Sequence, residues 1–231
     1  MKAVLFDAGG TLIHMDRRFV IQTLNANGVA ATLGDFARAD ILARNEVTRV
    51  LRSAHPGTDS SRWMIYAGAL MRELKCDGAA LDRVRTSLLG QHAAGDLWTY
   101  VEDGTFELLD ALRLSGYRMA IISNADGRVE SFLEKAGLTR YFEFVVDSGV
   151  FGVEKPDARI FRHALERLQV PAEEALYVGD VYEVDVLGAR AVGMDAVLLH
   201  NADVDPAWDC RVIKSLGELR AIVRMAYPQP S

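Results

Sequence analysis

Residues 2–12 read Lys2-Ala3-Val4-Leu5-Phe6-Asp7-Ala8-Gly9-Gly10-Thr11-Leu12, and this stretch decides the fold. A short apolar run ends in a carboxylate, and two glycines and a hydroxyl follow at once. The pattern predicts a buried parallel strand that leads into a tight loop whose backbone N–H groups face an anion. Ligands of open α/β sheets bind outside the carboxyl ends of the strands. We therefore expect Asp7 to act in ligand binding or catalysis rather than in packing of the core.

Three later segments place reactive side chains in comparable positions. Ile121-Ile122-Ser123-Asn124 ends a second apolar run in a hydroxyl. Gly152-Val153-Glu154-Lys155-Pro156-Asp157 sets a lysine before a proline that can open a helix at its first turn. Leu176-Tyr177-Val178-Gly179-Asp180 ends another strand in an acid, and Asp185 follows five residues later. Together the segments favour a chemical role for Asp7 over that of an ordinary turn residue.

The remaining pattern is an alternation of strands and helices. Strand signals recur at residues 3–6, 119–122, 144–146, 175–178, 196–199 and 211–213. Helical patterns occur at residues 105–115, 128–136, 158–168, 185–191 and 216–226. This order predicts an α/β fold with a doubly wound parallel sheet that helices cover on both faces.

Residues 16–97 differ from the rest because they carry helical periodicity and no strand-like run. The helical stretches are residues 19–24, 36–51, 62–74 and 80–89. We therefore expect an inserted α-helical domain over residues 16–97 and an α/β core domain over residues 1–15 and 98–231.

The four segments, in this order, resemble the motif set of the haloacid dehalogenase-like (HAD) hydrolase superfamily, from Val4 to about Leu199. The run from Asp180 to Met194 is similar to that of its phosphatase-type branch. The resemblance implies a Rossmann-like core and a helical cap that would exclude water and select the substrate. It also implies that Asp7 is a nucleophile that forms an aspartyl phosphate.

The resemblance further implies a role for each matching residue. Lys155 would balance negative charge, and Asp185 would hold a metal-bound water or steady Lys155. The expected catalytic residues are Asp7, Lys155 and Ser123. The expected Mg²⁺ ligands are Asp7, the carbonyl of Gly9, Asp180 and Asp185. The expected phosphate-binding residues are Gly10, Thr11, Ser123, Asn124 and Lys155.

Gly9 departs from the family pattern. Phosphatases of this family usually carry a second Asp two residues after the nucleophile, as general acid and base. General acid–base catalysis typically contributes about 10²–10⁴-fold, so we expect slow cleavage of substrates with poor leaving groups. His14 is the nearest titratable substitute, although a structural role for it is favoured. A glycine here also allows a positive φ.

Three alternatives to a Mg²⁺-dependent phosphatase stay open. A haloacid dehalogenase would need neither a metal nor a leaving-group acid, but its branch resembles Ser-Asn where this chain has Gly179-Asp180. A phosphonate hydrolase would need a reactive cap lysine, for which the sequence offers Lys75. A family member that has lost catalysis would bind a phosphorylated ligand or a partner protein.

The composition of the chain limits which partners and which surroundings are expected for it. The net charge of −6 disfavours nucleic acid, which requires a basic surface. No apolar run reaches the length that spans a bilayer. Cys76 and Cys210 lie far apart and without metal-ligand spacing, which favours reduced thiols in the cytoplasm. We expect a small phosphorylated metabolite as substrate and a monomer or homodimer in solution.

Overall fold

The structure, a computed structural model, describes residues 1–53, 57–201 and 207–226. The chain divides into two compact units. The core unit comprises Met1–His14 and Val101–Ser231, and the helical unit comprises Met15–Tyr100. Each has its own buried apolar cluster.

A parallel sheet forms the centre of the core unit. Its strands within the described residues are β1 (Ala3–Phe6), β2 (Arg118–Ser123), β3 (Val145–Asp147), β4 (Ala175–Gly179), β5 (Asp195–Leu199) and β6 (Arg211–Ile213). The spatial order is β3-β2-β1-β4-β5-β6, and every pairing is parallel. This confirms the predicted doubly wound sheet. The strand order reverses between β1 and β4, which is where such sheets bind their ligands.

The helical unit holds α1 (Arg17–Ala26), α2 (Leu33–Ser53), α3 (Asp59–Glu73) and α4 (Gly78–Ala93). The predicted helices are confirmed, and each begins before its predicted stretch, although α3 ends one residue short of residue 74. Local capping explains part of the extension. Asp16 accepts hydrogen bonds from the N–H groups of Arg18 and Phe19, and Thr58 forms a reciprocal capping box with Ser61.

The core unit also carries α5 (Thr105–Leu114), α6 (Val129–Lys135), α7 (Ser148–Phe151), α8 (Ala158–Leu168), α9 (Leu187–Arg190) and α10 (Leu219–Ala226). Two expectations were wrong here. The cap of α8 is Asp157, whose carboxylate accepts from the N–H of Arg159, so Pro156 precedes the helix. The helical segment predicted from residue 185 begins earlier, as a π-helical turn over Tyr182–Val186.

Close packing joins α8 and α9 to the sheet. Phe161 of α8 is fully buried and meets the ring of Tyr177 in β4 edge-on at 5.2 Å between centroids. A Cβ on Gly188 of α9 would come within 2.5 Å of the Phe161 ring. Glycine therefore allows α9 to approach α8 directly. Among the described residues, no helix is long and apolar enough to cross a membrane.

Candidate active site

The strand register brings three sequence-predicted residues to one edge of the sheet. Phe6 pairs with Ile121 of β2 and with Val178 of β4. The next residue, Asp7, donates its backbone N–H to the carbonyl of Val178 over 2.8 Å. Ser123 and Asp180 follow at the ends of β2 and β4, so they lie at the same edge as Asp7. Asp7 and Ser123 are buried, whereas Asp180 is half-buried.

Lys155 is the cation at the centre of this edge. Its ammonium lies 2.7 Å from Oδ1 of Asp7, 2.7 Å from Oδ1 of Asp185 and 2.9 Å from Oη of Tyr177. An ammonium has three N–H donors, so these contacts use all of them. The side chain is only 2% exposed. The two carboxylates were expected near Lys155, but Tyr177 was not. In the sequence Tyr177 lies within an apolar run and looks like any other side chain of a buried strand.

Burial and nearby charges shift the pKa of Asp7 and that of Lys155. Burial raises the pKa of Asp7, Lys155 lowers it, and Asp185 and Asp180 raise it again, to about 7 from an ordinary 3.8. Burial alone would lower the pKa of Lys155, but the attraction of Asp185 and Asp7 holds it well above the ordinary 10.5. Negative charge thus outweighs positive charge at this edge, which favours binding of a cation.

Asp7, Asp180 and Asp185 are the acids that a cation would meet. Each offers a carboxylate oxygen, and these atoms lie within 4.8 Å of one another. An all-oxygen donor set suits a hard divalent cation. This acidic cluster therefore fits the divalent metal that the family resemblance implies.

Asp185 differs from the other two acids because it also holds the local backbone. Its Oδ2 accepts from the N–H groups of Asp180 at 3.1 Å and Val181 at 3.0 Å, while Oδ1 accepts from Lys155. The side chain of Asp185 is 2% exposed. It is thereby placed to fix Lys155 and the turn after β4, in keeping with the expectation that it steadies the lysine.

The loop after Asp7 is closed by its own backbone bonds. The carbonyl of Ala8 accepts from the N–H groups of Thr11, Leu12 and Ile13, and the N–H of Gly10 donates to Ile13. The expectation that these N–H groups face an anion was therefore wrong for residues 10–13. The N–H of Gly10 in particular is not available to a phosphate.

Thr11 offers a hydroxyl instead. Its Oγ1 is fully buried and has no hydrogen-bond partner among the residues that the structure describes. An unpaired buried hydroxyl is uncommon in native proteins and calls for an explanation. A bound anion would supply the missing partner.

Asn124 was expected to bind substrate, but its side chain has another use. Its Nδ2 donates to the carbonyl of Lys155 over 3.0 Å, and its Oδ1 accepts from the N–H of Lys155 over 2.7 Å. These paired bonds hold the Lys155 backbone against the end of β2. Asn124 thus positions the lysine.

Asp147 and Ser148 order the loop after β2, and sequence reasoning missed both. Asp147 accepts from the N–H groups of Gly127 at 3.0 Å and Gly149 at 2.8 Å. Ser148 Oγ accepts from the N–H of Ala125 over 3.0 Å. The segment Asp147-Ser148-Gly149 carried a signal, since an Asp before a short helix is a common N-cap.

Comparison with known proteins identifies the family. The model of the haloacid dehalogenase-like hydrolase family matches residues 1–193. The chain belongs to this family. The predicted resemblance is thus confirmed, and the protein is a HAD-like hydrolase.

Individual relatives of this HAD-like hydrolase cover different shares of it. Haloacid dehalogenase-like hydrolase domain-containing protein 3 of Bos taurus is 37% identical over 132 residues, 57% of this chain and 52% of that protein. The chain thus matches about half the length of this relative. Glyceraldehyde 3-phosphate phosphatase of Methanopyrus kandleri is 28% identical over 90% of this chain and 89% of its own. A HAD phosphatase structure from Thermococcus onnurineus has 25% identity and a TM-score of 0.59, over 96% of this chain and 98% of its own.

Gly9 remains the departure of this HAD-like hydrolase from the motif pattern. A glycine at this position would allow a positive φ, but in the structure it is Gly10 that has the positive φ, 82°. Gly9 is half-buried and forms an isolated parallel bridge with Ile13. Since its backbone is not left-handed, the loop conformation does not itself require glycine at position 9.

Proposed function

We propose that this HAD-like hydrolase is a Mg²⁺-dependent phosphatase that acts on a small phosphorylated metabolite through an aspartyl phosphate at Asp7. One observation carries the proposal. The carboxylate of Asp7 meets the buried ammonium of Lys155 at 2.7 Å and has the oxygens of Asp180 and Asp185 within 4.8 Å. The phosphatase named among the relatives supports the reaction class.

Asp7 performs the covalent step. A bond forms between one carboxylate oxygen and phosphorus, and the bond from phosphorus to the leaving oxygen breaks with its electron pair on that oxygen. Water then cleaves the acyl phosphate, which releases phosphate and restores Asp7. Lys155 supplies positive charge beside the reacting carboxylate throughout.

Asp7, Asp180 and the carbonyl of Gly9 would hold the metal, with Asp185 behind them. Mg²⁺ at this position supplies the positive charge that reduces repulsion between a carboxylate and a phosphate dianion. Phosphate oxygens would be met by the hydroxyls of Thr11 and Ser123, by the N–H of Asn124 and by Lys155. The helical unit would act as the cap that selects the substrate.

Hydrolysis of p-nitrophenyl phosphate by purified protein tests this function. We expect turnover in Mg²⁺ and its loss in EDTA. Asp7→Asn should lower turnover by roughly 10⁴-fold or more, the order of loss found when a catalytic triad residue is removed. Asp110→Asn is the matched control, because Asp110 pairs with Arg113 on the surface helix α5. Unchanged turnover in EDTA would reject the proposed Mg²⁺ dependence.

A further inference from the structure

Tyr177 joins Lys155 to strand β2 through its hydroxyl. Lys155 Nζ donates to Tyr177 Oη over 2.9 Å, and Tyr177 Oη donates to the carbonyl of Ile122 over 2.9 Å. A carbonyl only accepts and an ammonium only donates, so the single phenolic proton has to point at Ile122. The lone pairs of the hydroxyl then face Lys155.

The surrounding strands fix the position of that hydroxyl. Leu5 of β1 pairs with Ala120 of β2 on one side and with Tyr177 of β4 on the other. The side chain of Tyr177 therefore reaches across the central strand to Ile122, the residue before Ser123. Its ring is fully buried and packs edge-on against Phe161. These contacts leave the hydroxyl little freedom to move.

The three acceptors of Lys155 behave differently during the proposed reaction. Asp7 loses its negative charge when its oxygen bonds to phosphorus. Asp185 keeps its charge and would draw the ammonium toward itself. Tyr177 is the neutral acceptor, and its hydrogen bond to the carbonyl of Ile122 involves no group that reacts.

We propose that Tyr177 is a positioning residue that keeps the Lys155 ammonium beside Asp7 while Asp7 carries the phosphoryl group. The proposal rests on the proposed function. Without the hydroxyl, one N–H of a buried ammonium loses its acceptor, which is costly, and the ammonium shifts toward a carboxylate. The effect is greatest in the phosphorylated state, where Asp7 no longer attracts Lys155.

Tyr177→Phe is the test variant, because it keeps the ring and its contact with Phe161. Tyr141→Phe is the matched control. Tyr141 is also a buried tyrosine of the core unit, and its hydroxyl accepts from Arg140 over 2.9 Å. Both variants lose one hydroxyl, and only the first loses it at Lys155.

The first measurement is hydrogen exchange of lysine ¹⁵Nζ groups by NMR, which does not depend on catalysis. The chain has five lysines, and the Lys155 signal is the one lost in Lys155→Arg. We expect Tyr177→Phe to accelerate its exchange by about tenfold or more, as loss of a hydrogen bond to a charged group predicts. Tyr141→Phe should leave it unchanged.

The second measurement is rapid-quench kinetics with p-nitrophenyl phosphate, which separates phosphorylation of Asp7 from hydrolysis of the phosphoenzyme. We expect Tyr177→Phe to slow hydrolysis by about tenfold, and to slow phosphorylation clearly less. Unchanged exchange, or equal slowing of both steps, would overturn the proposal. Faster exchange in a protein that lacks Mg²⁺-dependent activity would support Tyr177 as the residue that positions Lys155 and reject the proposed function alone.

Discussion

Asp185 folds back over Gly179 so closely that a Cβ on residue 179 would lie 2.4 Å from Cγ of Asp185. The glycine at position 179 therefore makes room for the carboxylate of Asp185, six residues later. Asp185 in turn holds Lys155 and the backbone of Asp180 and Val181. The end of β4 and the turn after it thus form one structural unit that supports the site.

Gly179→Ala should displace Asp185 and destabilise the protein by about 1–3 kcal/mol, the usual cost of overpacking. We expect a lower midpoint of thermal unfolding together with weaker Mg²⁺ binding by calorimetry. Gly68→Ala is the matched control. Gly68 lies inside α3 with open space around it, and alanine there should raise stability by roughly 0.5–1 kcal/mol. If Gly179→Ala leaves both quantities unchanged, the packing of Asp185 is not what requires glycine.

Asp180→Ala should chiefly affect Mg²⁺ binding, whereas Asp185→Ala should chiefly affect stability. Asp180 is half-buried at the strand end, so its loss should chiefly weaken Mg²⁺ binding. Asp185 is buried against Lys155, and breaking a buried ion pair costs about 3–5 kcal/mol. We therefore expect Asp185→Ala to lower the unfolding midpoint in EDTA far more than Asp180→Ala does. Calorimetric titration and thermal unfolding of both variants decide the point, and equal effects in both assays would mean that the roles are wrongly assigned.

Asp7→Asn should stabilise the metal-free protein near neutral pH. The pKa of Asp7 is about 7 in the folded protein and an ordinary 3.8 when unfolded, so between these values the folded state binds more protons. Its contribution to the free energy of unfolding consequently falls as pH rises from about 4 to about 7. Asparagine removes that dependence. We would measure the free energy of unfolding by denaturant in EDTA across this pH range. The value for Asp7→Asn should exceed that of the wild type by an amount that grows with pH, whereas a constant difference would contradict the raised pKa.

Gly9 should make turnover depend steeply on the leaving group, because no acid at this position offsets the developing charge. Aryl phosphates should be cleaved much faster than sugar phosphates of similar affinity. Gly9→Asp should raise activity on alkyl phosphates by up to roughly 10²–10⁴-fold, and the φ of residue 9 does not oppose the change.

A linear free-energy series of phosphate monoesters measures this dependence. Circular dichroism of Gly9→Asp checks that the variant folds. A rate that does not vary with leaving-group pKa, while chemistry limits turnover, would show that another residue donates the proton. His14→Gln would then be examined first.

The sequence correctly predicted the positions of those site residues that lie at the end of a strand. Asp7, Ser123 and Asp180 each follow an apolar run, and parallel strands bring such ends to one edge of a sheet. Lys155 was assigned through the family resemblance, and the structure brings it to Asp7. The helices were also predictable, because their apolar periodicity is local.

The supporting contacts could not be predicted in the same way. Asn124 binds the backbone of a residue 31 positions away, and Tyr177 reaches Ile122 across another strand. Such contacts depend on tertiary packing, which leaves no periodic trace in the sequence. The closed loop after Asp7 was missed for a related reason, since the sequence does not reveal whether its N–H groups turn inward.

Trapping the phosphoenzyme tests the central claim most directly. The protein is mixed with p-nitrophenyl phosphate, quenched in acid within milliseconds and digested for peptide mass spectrometry. We predict one added phosphoryl group on Asp7, formed in Mg²⁺ and absent both in EDTA and in Asp7→Asn. Release of nitrophenol by the wild-type protein without any adduct on Asp7 at any quench time, or an adduct on another residue, would contradict the account.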